Sequence, residues 1–303
     1  MAAAETGQER TMWVAVLGMG RMGHALAERL LSGGHTLTVW NRTQGKADDL
    51  FVRGARQAAT PAEAAAGSEL TLTSLADDSA VRAVVTGPDG AAAGLGDGVL
   101  ADASTVSPQT TAQLSNAASS RFLASPILGS PMAVLGGEAT YLMGGPRDVQ
   151  DRARPVYETL ADENHRRYVG EDPTVASTLK LISNYLLLTG IASLAEGVAT
   201  AQAAGLDDTL IRDYLSRLPL VAPGLRNRLD DIISGEHDGW FPTTLGAKDV
   251  RLAEELARSH GLQLPLADAV KRRYEEAMAD GWADADIAAV VELVRRQRTS
   301  RTA

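Results

Sequence analysis

The stretch from Asp172 to Gly205 constrains the chain more than any other. Asp172 suits an N-cap, Pro173 suits the first helical position, and Gly205 is the next break. The roughly thirty residues between them predict one helix, about 45 Å long at 1.5 Å per residue, which exceeds the width of one small domain. It is apolar nearly all round, a pattern that predicts burial between two bodies rather than on one surface. Lys180 and Asn184 interrupt it four residues apart and therefore share a face. Taken alone they read equally well as a snorkelling lysine and a surface amide. The run Leu181 to Ala203 is the most membrane-like of the sequence, yet it holds Asn184, Glu196 and Gln202. A buried helix of a soluble protein is the expectation rather than a span.

A chain of 303 residues has room for two domains around such a helix. Its net charge of −9 disfavours nucleic acid as a partner, since phosphate binding needs a concentrated basic surface. Having no cysteine, it has no disulfide framework, thiol nucleophile or thiolate metal site, which is compatible with a cytoplasmic protein. The five histidines, at 24, 35, 165, 237 and 260, lack metal-ligand spacing, so no metal is expected. Residues 1–11 read as a disordered leader; Met1 to Arg10 lack the apolar core of a signal or an anchor.

From Trp13 the pattern becomes an alternation of strands and helices. The apolar run Trp13–Leu17 leads directly into Gly18-Met19-Gly20-Arg21-Met22-Gly23, and then into a helical pattern that ends at Gly33-Gly34. A G-x-G-x-x-G between a strand and a helix is a dinucleotide-binding signal. Gly18 permits the tight turn, Gly20 lets the backbone approach a pyrophosphate, and Gly23 lets helix and strand pack closely. The helix start offers unpaired N–H groups to the anion. The strand Thr36–Trp40 then ends in Asn41-Arg42-Thr43, where an NAD site would carry an acidic residue for the ribose hydroxyls. With no carboxylate there, a 2′-phosphate can pair with Arg42 and take hydrogen bonds from Asn41 and Thr43, so the cofactor expected is NADP(H).

Further strands are predicted at Leu70–Leu75, Val99–Asp102, Thr140–Met143 and Arg167–Val169, completing a parallel, doubly wound α/β sheet. Thr60-Pro61-Ala62-Glu63 has the form of a capping box, and Ala76-Asp77-Asp78 opens a helix. Ligands in such sheets lie beyond the strand C-termini, which brings Leu75, Ala76, Ser104 and Thr105 near the nicotinamide. Thr105 and Ser107 read as well as helix caps. Beyond Gly205 only helical patterns occur, punctuated by Phe241-Pro242 and Gly246 and then by Gly261 and Pro265. Ile287, Val290, Val291 and Val294 form one apolar face, suited to the domain core or to a dimer contact.

The chain resembles the β-hydroxyacid dehydrogenases and their relatives the imine reductases, over nearly its whole length after residue 11. Val39 to Thr43 with Gly45-Lys46-Ala47, Pro131 with Leu135-Gly136 and Glu138-Ala139-Thr140, and Gly170 to Pro173 with Ala176-Ser177 look like the imine reductases. Asp102 to Thr105 with Pro108, Lys180 with Asn184, Ala195-Glu196 leading to Ala204 to Asp207, and Phe241 followed by Lys248-Asp249 look like the dehydrogenases. The resemblance implies a Rossmann domain at 12–171, an interdomain helix at 172–204 and an all-helical domain at 205–303. It also implies a homodimer. Lys180 then matches the general acid or base, Asn184 the residue that holds substrate, and Lys248 a residue beside the cofactor. Leu128-Gly129-Ser130 stand where the dehydrogenases commonly carry Ser-Gly-Gly for a substrate carboxylate; with Ser104 they are the substrate-side candidates. Imine reductases usually have Asp or Tyr at the position of Lys180. The expected activity is NADPH-dependent reduction of a small carbonyl. The alternatives are an imine reductase and an inactive nucleotide-binding protein.

Overall fold

In the computed structural model, which describes residues 10–299, the expected leader lies outside the described part for its first nine positions. The apolar run Trp13–Leu17 is strand β1, buried from Val14 onward. Its period of two serves two layers: Val14 and Val16 pack with helix α1 (Arg21–Ser32), and Ala15 and Leu17 pack toward the other face. Next come β2 (Thr36–Trp40), α2 (Asp48–Val52), β3 (Arg56–Gln57) and α3 (Pro61–Ala65). In the capping box Thr60 Oγ1 accepts from Glu63 N at 3.0 Å, while the Glu63 carboxylate reaches Ala59 N rather than the cap's own amide.

The winding continues through β4 (Leu70–Thr73), α4 (Asp78–Thr86), α5 (Ala91–Gly94), β5 (Val99–Asp102), α6 (Pro108–Ala117) and β6 (Phe122–Ala124). These strands are parallel, in the order β3-β2-β1-β4-β5-β6. The rest departs from the expected wholly parallel sheet. Strand β7 (Ile127–Leu128), helix α7 (Pro131–Gly136), strand β8 (Thr140–Gly144), helix α8 (Arg147–Leu160) and strand β9 (Arg166–Gly170) follow. Here β8 runs antiparallel to both β6 and β7, and β9 is parallel to β8. A parallel return needs a crossover of roughly a dozen residues or more, and the link from Leu128 to Thr140, folded around the short α7, makes an antiparallel return instead.

Helix α9 spans Pro173–Ala203. Asp172 Oδ1 accepts from Thr174 N at 2.9 Å and from its hydroxyl at 2.7 Å, and Gly205 follows the helix with a φ of +86°. By length and composition α9 could cross a membrane. In the second half of the chain, however, its Leu188, Ile191, Ala195 and Val198 lie in a protein core. Contacts gather into two units, one up to Lys180 and one from Leu181, so the division falls inside α9.

The second unit is helical: α10 (Asp208–Arg217), α11 (Pro223–Arg226), α12 (Leu229–Ser234), α13 (Thr243–Ser259), α14 (Pro265–Ala277) and α15 (Val290–Thr299). Gly246, expected as punctuation, lies inside α13. A Cβ there would come within 2.9 Å of Ile287 and 3.1 Å of Leu188, so its role is close approach. Ile287, Val290 and Val291 are buried in this unit's own core, with Val294 packed against it.

Candidate active site

The glycine turn between β1 and α1 is built by steric demand. Gly18 has a φ of +98°, and a Cβ on it would approach Ser74 O to 2.4 Å, so β4 presses directly on the turn. A Cβ on Gly23 would lie 1.9 Å from Gly18 O, which lets α1 pack onto the end of β1. Gly20 differs, because among the described residues nothing beyond its chain neighbours lies within 4 Å of the position its Cβ would take. Gly20 is also the N-cap of α1 and no side chain caps that helix. Open space over an uncapped helix start suits a pyrophosphate, whose oxygens accept from helix-start N–H groups. Of the remaining motif residues, Met19 is buried while Arg21 is exposed and Met22 half-buried.

The loop after β2 contributes in two ways. Asn41 Oδ1 accepts from Met19 N at 2.9 Å and Asn41 Nδ2 donates to Thr43 O at 2.7 Å, so this amide ties the glycine turn to the end of β2. Asn41 Nδ2 carries a second N–H, so the hydrogen bond to a 2′-phosphate expected of it is compatible with both ties. Arg42 and Thr43 are exposed. Beyond β4 and β5, Ser104 Oγ accepts from Leu75 N at 2.9 Å, joining the two loops predicted to lie near the nicotinamide. Ser104 N and Thr73 Oγ1 both donate to Asp102 Oδ1, at 3.1 and 2.6 Å. Burial pushes the Asp102 carboxyl above its ordinary range, against the pull of those hydrogen bonds. Ser104 is buried, Thr105 and Leu75 are half-buried, and Ala76 is exposed.

On α9, Lys180 Nζ donates to Ile127 O in β7 at 2.6 Å. Leu128 pairs with Thr140 in the sheet, Gly129 takes a φ of +153°, and Ser130 Oγ caps α7 by accepting from Ala133 N at 3.0 Å. The first unit thus brings Lys180 to the start of the segment predicted for substrate, with the Ser130 oxygen serving as a cap. In the second unit Asn184 Nδ2 donates to Asp249 Oδ2 at 2.5 Å, and Lys248 Nζ lies 2.9 Å from Asp249 Oδ1.

Residues 13–170 match the model of the NAD binding domain of 6-phosphogluconate dehydrogenase, and residues 175–294 match that of the NAD-binding region of NADP-dependent 3-hydroxyisobutyrate dehydrogenase. The chain belongs to the β-hydroxyacid dehydrogenase family. Like the family, it is a nicotinamide-dependent oxidoreductase. Among relatives, the uncharacterized oxidoreductase YfjR of Bacillus subtilis is 32% identical over 94% of this chain and 100% of its own length. The chloroplastic glyoxylate/succinic semialdehyde reductase 2 of Arabidopsis thaliana is 31% identical over 95% of this chain and 81% of its own. The crystal structure of 3-hydroxyisobutyrate dehydrogenase from Salmonella typhimurium shares the fold, with a TM-score of 0.83 at 23% identity over 92% of this chain and 99% of that one.

Three roles in this β-hydroxyacid dehydrogenase could not be assigned from the sequence. Asp102 organises the loops after β4 and β5, Ile127 contributes only a carbonyl, and Asp249 holds Asn184. For Asp249 a signal existed: Gly246, Asp249, Val250 and Ala253 fall at i, i+3, i+4 and i+7, the spacing of a buried helix face, where a carboxylate calls for a partner such as Lys248.

Proposed function

We propose that the protein is an NADPH-dependent reductase of small carbonyl compounds, an aldehyde, semialdehyde or keto acid, with Lys180 as the general acid. The observation that carries this is the contact of Lys180 Nζ with Ile127 O at 2.6 Å. A carbonyl oxygen only accepts, so this contact makes the lysine nitrogen a donor, a role that an ammonium fills with one of its three N–H groups. The name of the Arabidopsis relative gives two small carbonyl substrates, glyoxylate and succinic semialdehyde, which supports the same class here.

The residues suited to hold the cofactor are Gly18, Met19, Gly20, Arg21 and Met22 at the pyrophosphate, Arg42 and Thr43 at a 2′-phosphate, and Leu75, Ala76 and Thr105 toward the nicotinamide. Bound NADPH supplies the hydride. As the carbonyl carbon is reduced, negative charge builds on its oxygen, and an ammonium at hydrogen-bond distance stabilises that charge and transfers its proton to give the alcohol. Lys180 regains a proton from solvent. A carbonyl fits such a cation better than an iminium does, because an iminium is already positive.

Replacing Lys180 with Ala should lower kcat for an aldehyde or keto substrate by about 10²-fold or more, the scale of a lost general acid, with NADPH binding retained. Initial rates against a panel of aldehydes, keto acids and cyclic imines test this. If preformed cyclic imines are the better substrates and Lys180→Asp keeps that activity, the imine reductase reading replaces the carbonyl one. No turnover across the panel, with NADPH bound, would favour a nucleotide-binding protein.

A further inference from the structure

Asn184 and Asp249 are 5% and 2% exposed, and each is more constrained than its exposure alone implies. The Asp249 carboxylate is an acceptor only. Its Oδ2 receives Asn184 Nδ2 at 2.5 Å, while its buried Oδ1 takes no hydrogen bond and relies on the charge of Lys248, 2.9 Å away. An amide carries a donor on one arm and an acceptor on the other. Turning Asn184 over would set its Oδ1 against a carboxylate oxygen with no proton between them, an arrangement disfavoured by both charge and the loss of a buried hydrogen bond. One rotamer is therefore selected, with the NH₂ group toward α13 and the carbonyl oxygen turned away from it.

We propose that Asp249 is a positioning residue that fixes Asn184 as a hydrogen-bond acceptor toward the reactants. This rests on the reading that Asn184 lies at the substrate. An acceptor there complements a donor, and in carbonyl reduction the donor that appears is the hydroxyl of the alcohol. Asn184 then recognises the reduced form, while Lys180 supplies the proton. Lys248 Nζ, 2.9 Å from Asp249 Oδ1, sets a positive charge beside that carboxylate and adds to the cost of turning the amide.

The test is an exchange of the two side chains, read as kcat and KM from pH 6 to pH 9. Asn184→Asp puts two carboxylates at a hydrogen-bond distance, so they share one proton at low pH and repel once it leaves. The expected result is a loss of kcat/KM that deepens as pH rises across this range. Adding Asp249→Asn restores a donor on α13 and leaves an acceptor at position 184. The double variant should recover at least tenfold at pH 8 and regain the pH profile of the unsubstituted protein. Additive losses, or an Asn184→Asp profile parallel to that of the unsubstituted protein, overturn the proposal. Should Asn184→Asp not fold, the alanine cycle decides: the double Asn184→Ala, Asp249→Ala variant should lose no more than Asn184→Ala alone, and additivity rejects the coupling. The cycle uses whichever C=O or C=N substrate the protein turns over. Failure of the Lys180 assignment shows instead in Lys180→Ala, with this cycle unaffected.

Discussion

Asp102 is 3% exposed, and the hydrogen bonds that reach it come from neutral groups, Thr73 and Ser104. Its carboxyl is displaced upward from 3.8, first by desolvation. A carboxyl whose folded pKa is raised favours folding fully below the unfolded value, and that contribution is lost as pH rises to the folded pKa. Asp102→Asn keeps an acceptor for Thr73 and Ser104 and removes the charge. Melting temperature, compared with the unsubstituted protein, should therefore move in favour of Asp102→Asn between pH 4 and pH 8, by about 2–4 °C for each kcal/mol. A difference independent of pH would remove the charge argument. Arg42 makes the residue-scale prediction about the cofactor. Arg42→Ala should weaken NADPH by roughly tenfold or more, given about 1.5–3 kcal/mol for a charge-assisted hydrogen bond, and leave NADH nearly untouched. Equal losses in titrations with the two cofactors would exclude a 2′-phosphate contact. Arg42 could be nominated from the sequence because the position after such a strand is where a nucleotide's ribose is met. The tie of Asn41 to Met19 N could not, because it joins residues that meet only once β1 and β2 are paired.

At the scale of elements, the glycine turn separates folding from binding. Gly20→Ala meets nothing within 4 Å, so the protein should melt as before while both cofactors bind more weakly. Gly23→Ala drives a Cβ into Gly18 O, so the turn itself must shift, and both stability and cofactor affinity should fall. Paired melting curves and titrations distinguish the two; unchanged affinity in Gly20→Ala would mean that no ligand occupies the space above it. The same elements show what sequence pattern can carry. Strands of four or five residues framed by turns, such as β1, β2 and β5, announce themselves, and so does α9 with its Asp172 and Gly205 ends. Strands β3, β6 and β7 are two or three residues long, too short for a period of two to register. The antiparallel course of β8 escaped for a related reason: direction depends on the short link from β7, whereas apolar alternation is the same either way.

For the whole molecule the open question is assembly, and α9 supplies the physical argument. Its sides are unequal in the folded chain. Leu188, Ile191, Ala195 and Val198 are buried, whereas Val175, Leu179, Ile182 and Leu186 follow one another at helical spacing and stay exposed, Leu186 to 64%. On α10 and just before it, Leu206, Leu210 and Tyr214 form a second exposed series, with Tyr214 at 63%. An exposed apolar row along one side of α9 is suited to burial, and covering it with the same row of a second copy gives a closed, two-fold assembly. The expected species is a homodimer, with light scattering at micromolar concentration reporting twice the chain mass of 31.9 kDa. Leu186→Asp tests the surface itself: because this side chain is exposed within one chain, the substitution should leave the fold intact, yet a carboxylate in an apolar interface is costly to bury and should shift the population to monomer. A monomer for the unsubstituted chain would contradict the assembly. A dimer that persists unchanged in Leu186→Asp would move the interface away from this side of α9.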